Sequence, residues 1–314
     1  MILLMAPRLF TALMAAAVLS MALPAVADGP TPAGSRTPEP AEPVLETIPV
    51  PEPTPGPAVV RWESGMEVRP LLAGEPYETL LYINTGPEPG PAVMVVGGTH
   101  GNEPAGWQAA EQLADLVPDR GRLLVIPRAN VVAINHFVRT FPELGDLNRL
   151  YPGRPDGLPM ERLAWVITRL VDEYRVELFV DLHESWGFYQ DRVCPSTAFL
   201  GQTVAVTNKP QAIDLLGPVV DRLNERLAGK ERFTLLVFGR PGGSPPPPNC
   251  PSTPLPSERR DGYGGTSTNM LARTYAPLIT VLVETSTQLP LGRRVGFHLE
   301  IVRQILAAQG MLAN

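Results

Sequence analysis

Short blocks of apolar residues alternate along this chain with longer stretches in which apolar positions recur every three or four residues. Residues 93–96, 123–126, 178–182, 233–238 and 278–283 are brief, nearly unbroken apolar runs, the pattern of strands buried on both faces. Between them, Trp107, Ala110, Leu113, Ala114 and Val117 fall at helical spacing and predict a helix over 104–117. Leu163, Val166, Ile167, Leu170, Val171 and Tyr174 do the same for 160–174, and helices are also predicted over 210–227 and 295–312. Alternating runs at 59–62 and 79–83 predict a few antiparallel strands. Strands interleaved with helices in this way describe one α/β domain over 59–314, a mixed, mostly parallel sheet between helical layers. Segments 128–159 and 239–265 carry no period, and long irregular loops are where binding function tends to sit.

Composition changes the picture mainly at the N-terminus. Arg8, the apolar stretch 9–23 and the small-x-small triplet Ala25-Val26-Ala27 have the form of an export signal cut after Ala27. The stretch is short for a membrane span and no basic flank follows it, so a periplasmic or secreted protein with no lasting span is expected. Residues 28–58 interleave proline with Ala, Glu, Thr and Gly, a composition that cannot bury enough apolar surface to order itself and predicts a flexible tether. The formal charge of -6 gives no basic footprint and argues against a nucleic-acid partner. Cys194 and Cys250 are the only cysteines; in an exported protein they form either a disulfide or two separate thiols.

The candidate chemistry sits at the ends of the apolar runs. His100 and Glu103 follow run 93–96 and the turn Gly97-Gly98-Thr99, and His183 directly follows run 178–182. In open α/β sheets, ligands gather at the carboxyl ends of strands. Two histidines and a glutamate form the ligand set of a catalytic zinc, because a fourth position stays open for water. Glu103 also has a plainer reading, as a negative charge at a helix N-terminus. Run 278–283 delivers Glu284 at another strand end, where a carboxylate is costly unless paired or used. A zinc hydrolase needs such a carboxylate as general base. Asp181, two residues before His183, shares its face of the strand and is placed to orient its ring. His136 and His298 do not complete a ligand set.

Five motifs occur in order between residues 93 and 284: Gly98-Thr99-His100-Gly101-Asn102-Glu103, Pro127-Arg128-Ala129-Asn130, Asp146-Leu147-Asn148-Arg149-Leu150-Tyr151-Pro152-Gly153, Asp181-Leu182-His183-Glu184 and Val283-Glu284-Thr285. Together they resemble the zinc carboxypeptidases, and most of all the succinylglutamate desuccinylase and aspartoacylase branch. The resemblance implies a three-layer α/β/α sandwich of the zinc-carboxypeptidase type and one Zn2+ held by His100, Glu103 and His183. It further implies that Glu284 is the base, that Arg128 stabilises the oxyanion, and that Asn148 and Arg149 grip a free carboxylate of the substrate. Tyr263, within Gly262-Tyr263-Gly264-Gly265, lies near where such enzymes carry a substrate-contacting tyrosine, and Tyr275 competes for that place.

The reading that follows is an exported zinc hydrolase cleaving an amide bond next to a free carboxylate. Export points to a carboxypeptidase acting on extracellular or cell-wall peptides, which is the main expectation, with deacylation as its alternative. The branch resemblance points to a deacylase of N-acyl amino acids. A non-catalytic zinc-containing binding module is the third possibility, against which a retained base argues.

Overall fold

A computed structural model describes residues 62–192, 199–238 and 265–313. The expected signal and tether lie outside the described residues, as do Cys194, Cys250 and Tyr263. No helix among the described residues is long and apolar enough to cross a membrane.

Eight strands form one sheet: β1 (Gly65–Leu71), β2 (Thr79–Thr85), β3 (Glu88–Gly97), β4 (Arg120–Ile126), β5 (Leu178–Ser185), β6 (Thr203–Thr207), β7 (Thr234–Phe238) and β8 (Ile279–Ser286). Their spatial order is β1-β2-β4-β3-β5-β8-β6-β7. The centre of the sheet, β4-β3-β5-β8, is parallel, and so is β6 with β7; β1 with β2, β2 with β4, and β6 with β8 run antiparallel. The expected mixed, mostly parallel sheet is therefore present.

Side-chain alternation along the strands divides the core in two. On one face Val93, Val95, Val180 and Val283 pack against α1 (Pro104–Leu113), α4 (Pro210–Asn224) and α6 (Leu291–Ala308). On the other, Met94, Val96 and Phe179 meet Leu163, Ile167 and Leu170 of α3 (Pro159–Glu173) and Leu271 of α5 (Ser267–Thr274). Each buried aliphatic or aromatic side chain of this kind contributes about 1.5–3 kcal/mol of transfer free energy, and Asp181 of β5 and Thr280 of β8, polar side chains inside the central strands, are buried with hydrogen-bond partners.

Several described elements were not expected from the sequence. Segment 128–159 is not featureless: it holds α2 (Val131–His136), capped by the Asn130 side chain, and a single 3-10 turn at Leu147–Arg149. A six-residue helix is too short to show a period. The alternating run expected at 59–62 lies, apart from Trp62, outside the described residues; strand β1 starts at Gly65 and is exposed along most of its length, so it has no apolar face to read. Strand β6 and helix α5 were also not expected, at five and eight residues respectively.

Candidate metal centre

Strands β3, β5 and β8 are neighbours running the same way, so their C-terminal ends open on one edge of the sheet. His183 on β5 and Glu284 on β8 are register partners. His100 and Glu103 occupy the turn between β3 and α1. Gly101 within that turn is required by packing, since a Cβ there would stand 2.1 Å from the Ala133 carbonyl carbon of α2.

The three expected ligands converge. Glu103 Oε1 is 2.6 Å from His100 Nδ1, Glu103 Oε2 is 2.8 Å from His183 Nδ1, and the two Nδ1 atoms are 3.1 Å apart. One donor atom from each residue lies within 4.8 Å of the others, all three side chains are buried, and the group can hold a metal ion. The outer ring nitrogens face carboxylates. His100 Nε2 is 3.2 Å from Asp146 Oδ1, and His183 Nε2 is 3.1 Å from Asp181 Oδ1, an ion-pair contact without hydrogen-bond alignment. Such outer carboxylates fix ring orientation and leave the inner nitrogens for a cation.

Electrostatics favour positive charge at the centre. Burial works against ionising Glu103, but the two histidine rings outweigh it and hold its carboxyl well below the usual range. Burial likewise opposes charge on Asp181, yet His183, Ser267 and Thr99 pull its carboxyl down; Ser267 Oγ and Thr99 Oγ1 donate to it at 2.5 and 3.0 Å. Glu284 lacks this support. Burial pushes its carboxyl up to about 7, only partly opposed by His183, and Ser185 Oγ donates to it at 3.1 Å.

The structure separates the two arginines that flank this region. Arg128, expected to face the scissile carbonyl, donates instead to Glu111 Oε1 at 3.0 Å and Asn135 Oδ1 at 3.2 Å, and stacks 4.8 Å from the Trp107 ring centroid. Its guanidinium is committed to helices α1 and α2 and does not join the ligand group. Arg139, not among the expected residues, lies beside the ligand group: Nη1 is 3.5 Å from Glu103 Oε1 and Nη2 donates to Asp146 Oδ2 at 3.1 Å. The signal for Arg139 was its position seven residues before Asp146, in a segment read as loop.

Asn148 is buried, and its amide oxygen accepts the Ser267 N–H at 3.0 Å, so its carbonyl end is used by the fold. Arg149 is exposed beside it and donates to the Asn148 carbonyl at 2.8 Å. Tyr275 does not reach the site. Its hydroxyl donates to the Thr168 carbonyl, and the residue lines a cavity of about 610 Å³ with Val176, Glu177 and Lys209, where strands β5 and β8 begin rather than end. His136 lies at the end of α2 against Phe141, and His298 is buried in α6 with Nε2 3.1 Å from Thr285 Oγ1.

Residues 89–187 match the family model of the succinylglutamate desuccinylase/aspartoacylase catalytic domain. That family has a zinc-carboxypeptidase-like fold, and the described sheet and helices carry the same architecture. The resemblance read from the motifs is thereby borne out for this stretch. The chain is 35% identical over 98 residues to an N-alpha-acetyl-L-2,4-diaminobutyric acid deacetylase of Halomonas elongata, a match spanning 30% of this chain and 28% of that protein. Its fold is similar to that of the tripeptide-bound cell shape determinant Csd4 of Helicobacter pylori, with TM-score 0.59 and 16% identity over 79% of this chain and 56% of that one. It is also similar to the product-bound ectoine utilization protein EutE of Ruegeria pomeroyi, with TM-score 0.57 and 20% identity over 82% of this chain and 71% of that one. The chain thus spans about half the length of Csd4. The family and the deacetylase relative are hydrolases by name.

Proposed function

We propose that this protein is a zinc-dependent amidohydrolase that releases the acyl group from an N-acyl amino acid or a closely similar small substrate. The observation that carries the reading is the convergence of His100, Glu103 and His183 with the buried Glu284 set in register beside His183. Two imidazole nitrogens and one carboxylate oxygen, with outer nitrogens turned to Asp146 and Asp181, are the donors zinc prefers. The catalytic-domain match and the deacetylase relative support deacylation over peptide cleavage.

Zinc held there would supply Lewis acidity and lower the pKa of a coordinated water. Glu284 accepts the proton that the attacking water loses and passes it to the leaving nitrogen. Burial, which raises its carboxyl above the usual range, favours it as an acceptor that can hand the proton on. Arg139, rather than Arg128, is placed to offset the charge that develops on the carbonyl oxygen. Arg149, exposed beside the centre, pairs with the substrate carboxylate through its planar fork.

The export-like N-terminus supports a second reading, a periplasmic or secreted carboxypeptidase on short peptides. Mass-spectrometric analysis of products from a mixed set of N-acyl amino acids, peptides and muropeptides separates the two. Metal-dependent release of free amino acid from the acyl substrates is the expected result. Cleavage of peptides alone would favour the second reading, and bound zinc without turnover of any substrate would favour a binding module.

A further inference from the structure

Helix α1 begins immediately after the ligand Glu103, yet it has no side-chain cap of its own. Pro104 has no N–H to offer, so the first donor of the helix is the Ala105 amide. That amide donates to Glu184 Oε2 at 2.7 Å, so the missing cap comes from the residue that follows the ligand His183. The backbone N–H of Glu184 in turn donates to Glu103 Oε2 at 3.1 Å. Glu103 is therefore tied to residue 184 directly, through its carboxylate, and again through the first turn of the helix it precedes.

Glu184 is itself anchored. It points to the opposite face of β5 from His183, where its Oε1 accepts from Arg294 Nη1 of α6 and lies 3.5 Å from Thr285 Oγ1. Arg294 is held by a second bond, from Nε to the Leu289 carbonyl at 2.9 Å, and both members of the pair are buried. Gly106 allows the close approach this needs, since a Cβ there would come within 2.5 Å of the Leu182 carbonyl oxygen. A buried ion pair contributes little net stability compared with apolar packing of the same volume, so its effect here lies in geometry.

We infer that Glu184, braced by Arg294, is a positioning residue that holds the metal ligand Glu103 in place through the N-terminus of α1. The inference rests on the metal reading proposed above. It gives Glu184 and Arg294 a role that neither motif spacing nor ligand count assigns, and it joins α6 to the metal centre although α6 supplies no ligand.

The test is metal affinity and coordination in the full chain, stripped by chelator and titrated with Zn2+ and with Co2+, whose visible spectrum reports ligand geometry. Glu184→Ala is expected to weaken binding by about 10–100-fold, the usual effect of removing a group that orients a ligand, and to alter the Co2+ bands. The double variant E184L/R294M replaces the pair with apolar groups of similar size and serves if the single variant does not fold; the same loss is expected. Asn84→Ala is the control, because Asn84 Nδ2 holds the far end of this helix segment through the Ala114 and Leu116 carbonyls. It is expected to lower Tm and leave affinity and spectrum unchanged. Wild-type affinity and spectrum in a folded E184L/R294M would overturn the inference, as would an equal loss in Asn84→Ala. A wild-type chain that takes up no metal would overturn the metal reading, and this inference with it.

Discussion

His183 and Glu284 face each other as register partners on β5 and β8, which sets a proposed metal ligand and a proposed base on adjacent strands by backbone pairing alone. The separation of their roles comes from what else each touches. His183 Nδ1 is 2.8 Å from a ligand carboxylate, whereas the Glu284 carboxylate accepts, among the described residues, only from the Ser185 hydroxyl. One is built into a charge cluster, and the other is left as a poorly solvated carboxylate whose proton is easily gained and lost.

Replacing Glu284 with Gln keeps the shape and removes the base. Turnover of the acyl substrate is expected to fall by about 10²–10⁴-fold, the usual contribution of a positioned general base. Metal content by elemental analysis is expected to stay at the wild-type level. A Gln variant as active as the parent would remove Glu284 from the mechanism.

The same substitution has an opposite effect on stability. Burial raises the Glu284 carboxyl from 4.5 to about 7, so the folded state holds its proton over a range where the unfolded chain has lost it. The folded state is therefore penalised as pH rises from 4.5 through 7, by roughly 3 kcal/mol once both states are ionised. In chelator-treated protein, Glu284→Gln should unfold at higher denaturant concentration than wild type at pH 8, and the gap should close towards pH 4.5. A gap that does not change with pH would contradict the burial of an ionised Glu284.

The two arginines predict opposite phenotypes. Arg139→Ala is expected to reduce kcat by about 10²–10³-fold, the cost of losing one oxyanion partner, with little change in unfolding. Arg128→Ala breaks a partly exposed pair with Glu111 and a stack on Trp107, and should change stability by about 0.5–2 kcal/mol while turnover is largely kept. Steady-state kinetics and urea unfolding on both variants check the assignment, and a large loss of kcat in Arg128→Ala would restore the role expected from the motif.

Asp146 holds the outer nitrogen of His100, accepts the Asn148 amide at 3.0 Å and pairs with Arg139. Asp146→Asn keeps the size but weakens each contact, and metal affinity should fall by about 10–100-fold. Competition against a chelator of known affinity measures it.

Strand and ligand were legible in the sequence for the same reason. A buried parallel strand is mostly apolar along its length, so an ionisable residue at the end of each run, His183 or Glu284, is marked as exceptional by its neighbours. Local spacing then places His100 and Glu103 on one short turn, and the fold class follows from the alternation of runs and helices. What local pattern does not carry is the direction of a long side chain in an irregular segment. Arg128 and Arg139 both lie beyond β4 in such a segment, and their partners Glu111, Glu103 and Asp146 come from elements 7 to 36 residues away. Only the packing of α1, α2 and the 3-10 turn decides which guanidinium meets the ligands. The same holds for Glu184, whose work depends on an arginine 110 residues later. The sequence by itself determined which residues can bind a metal; the tertiary structure decided which charged side chains surround them, because those contacts are made between elements and leave no period along the chain.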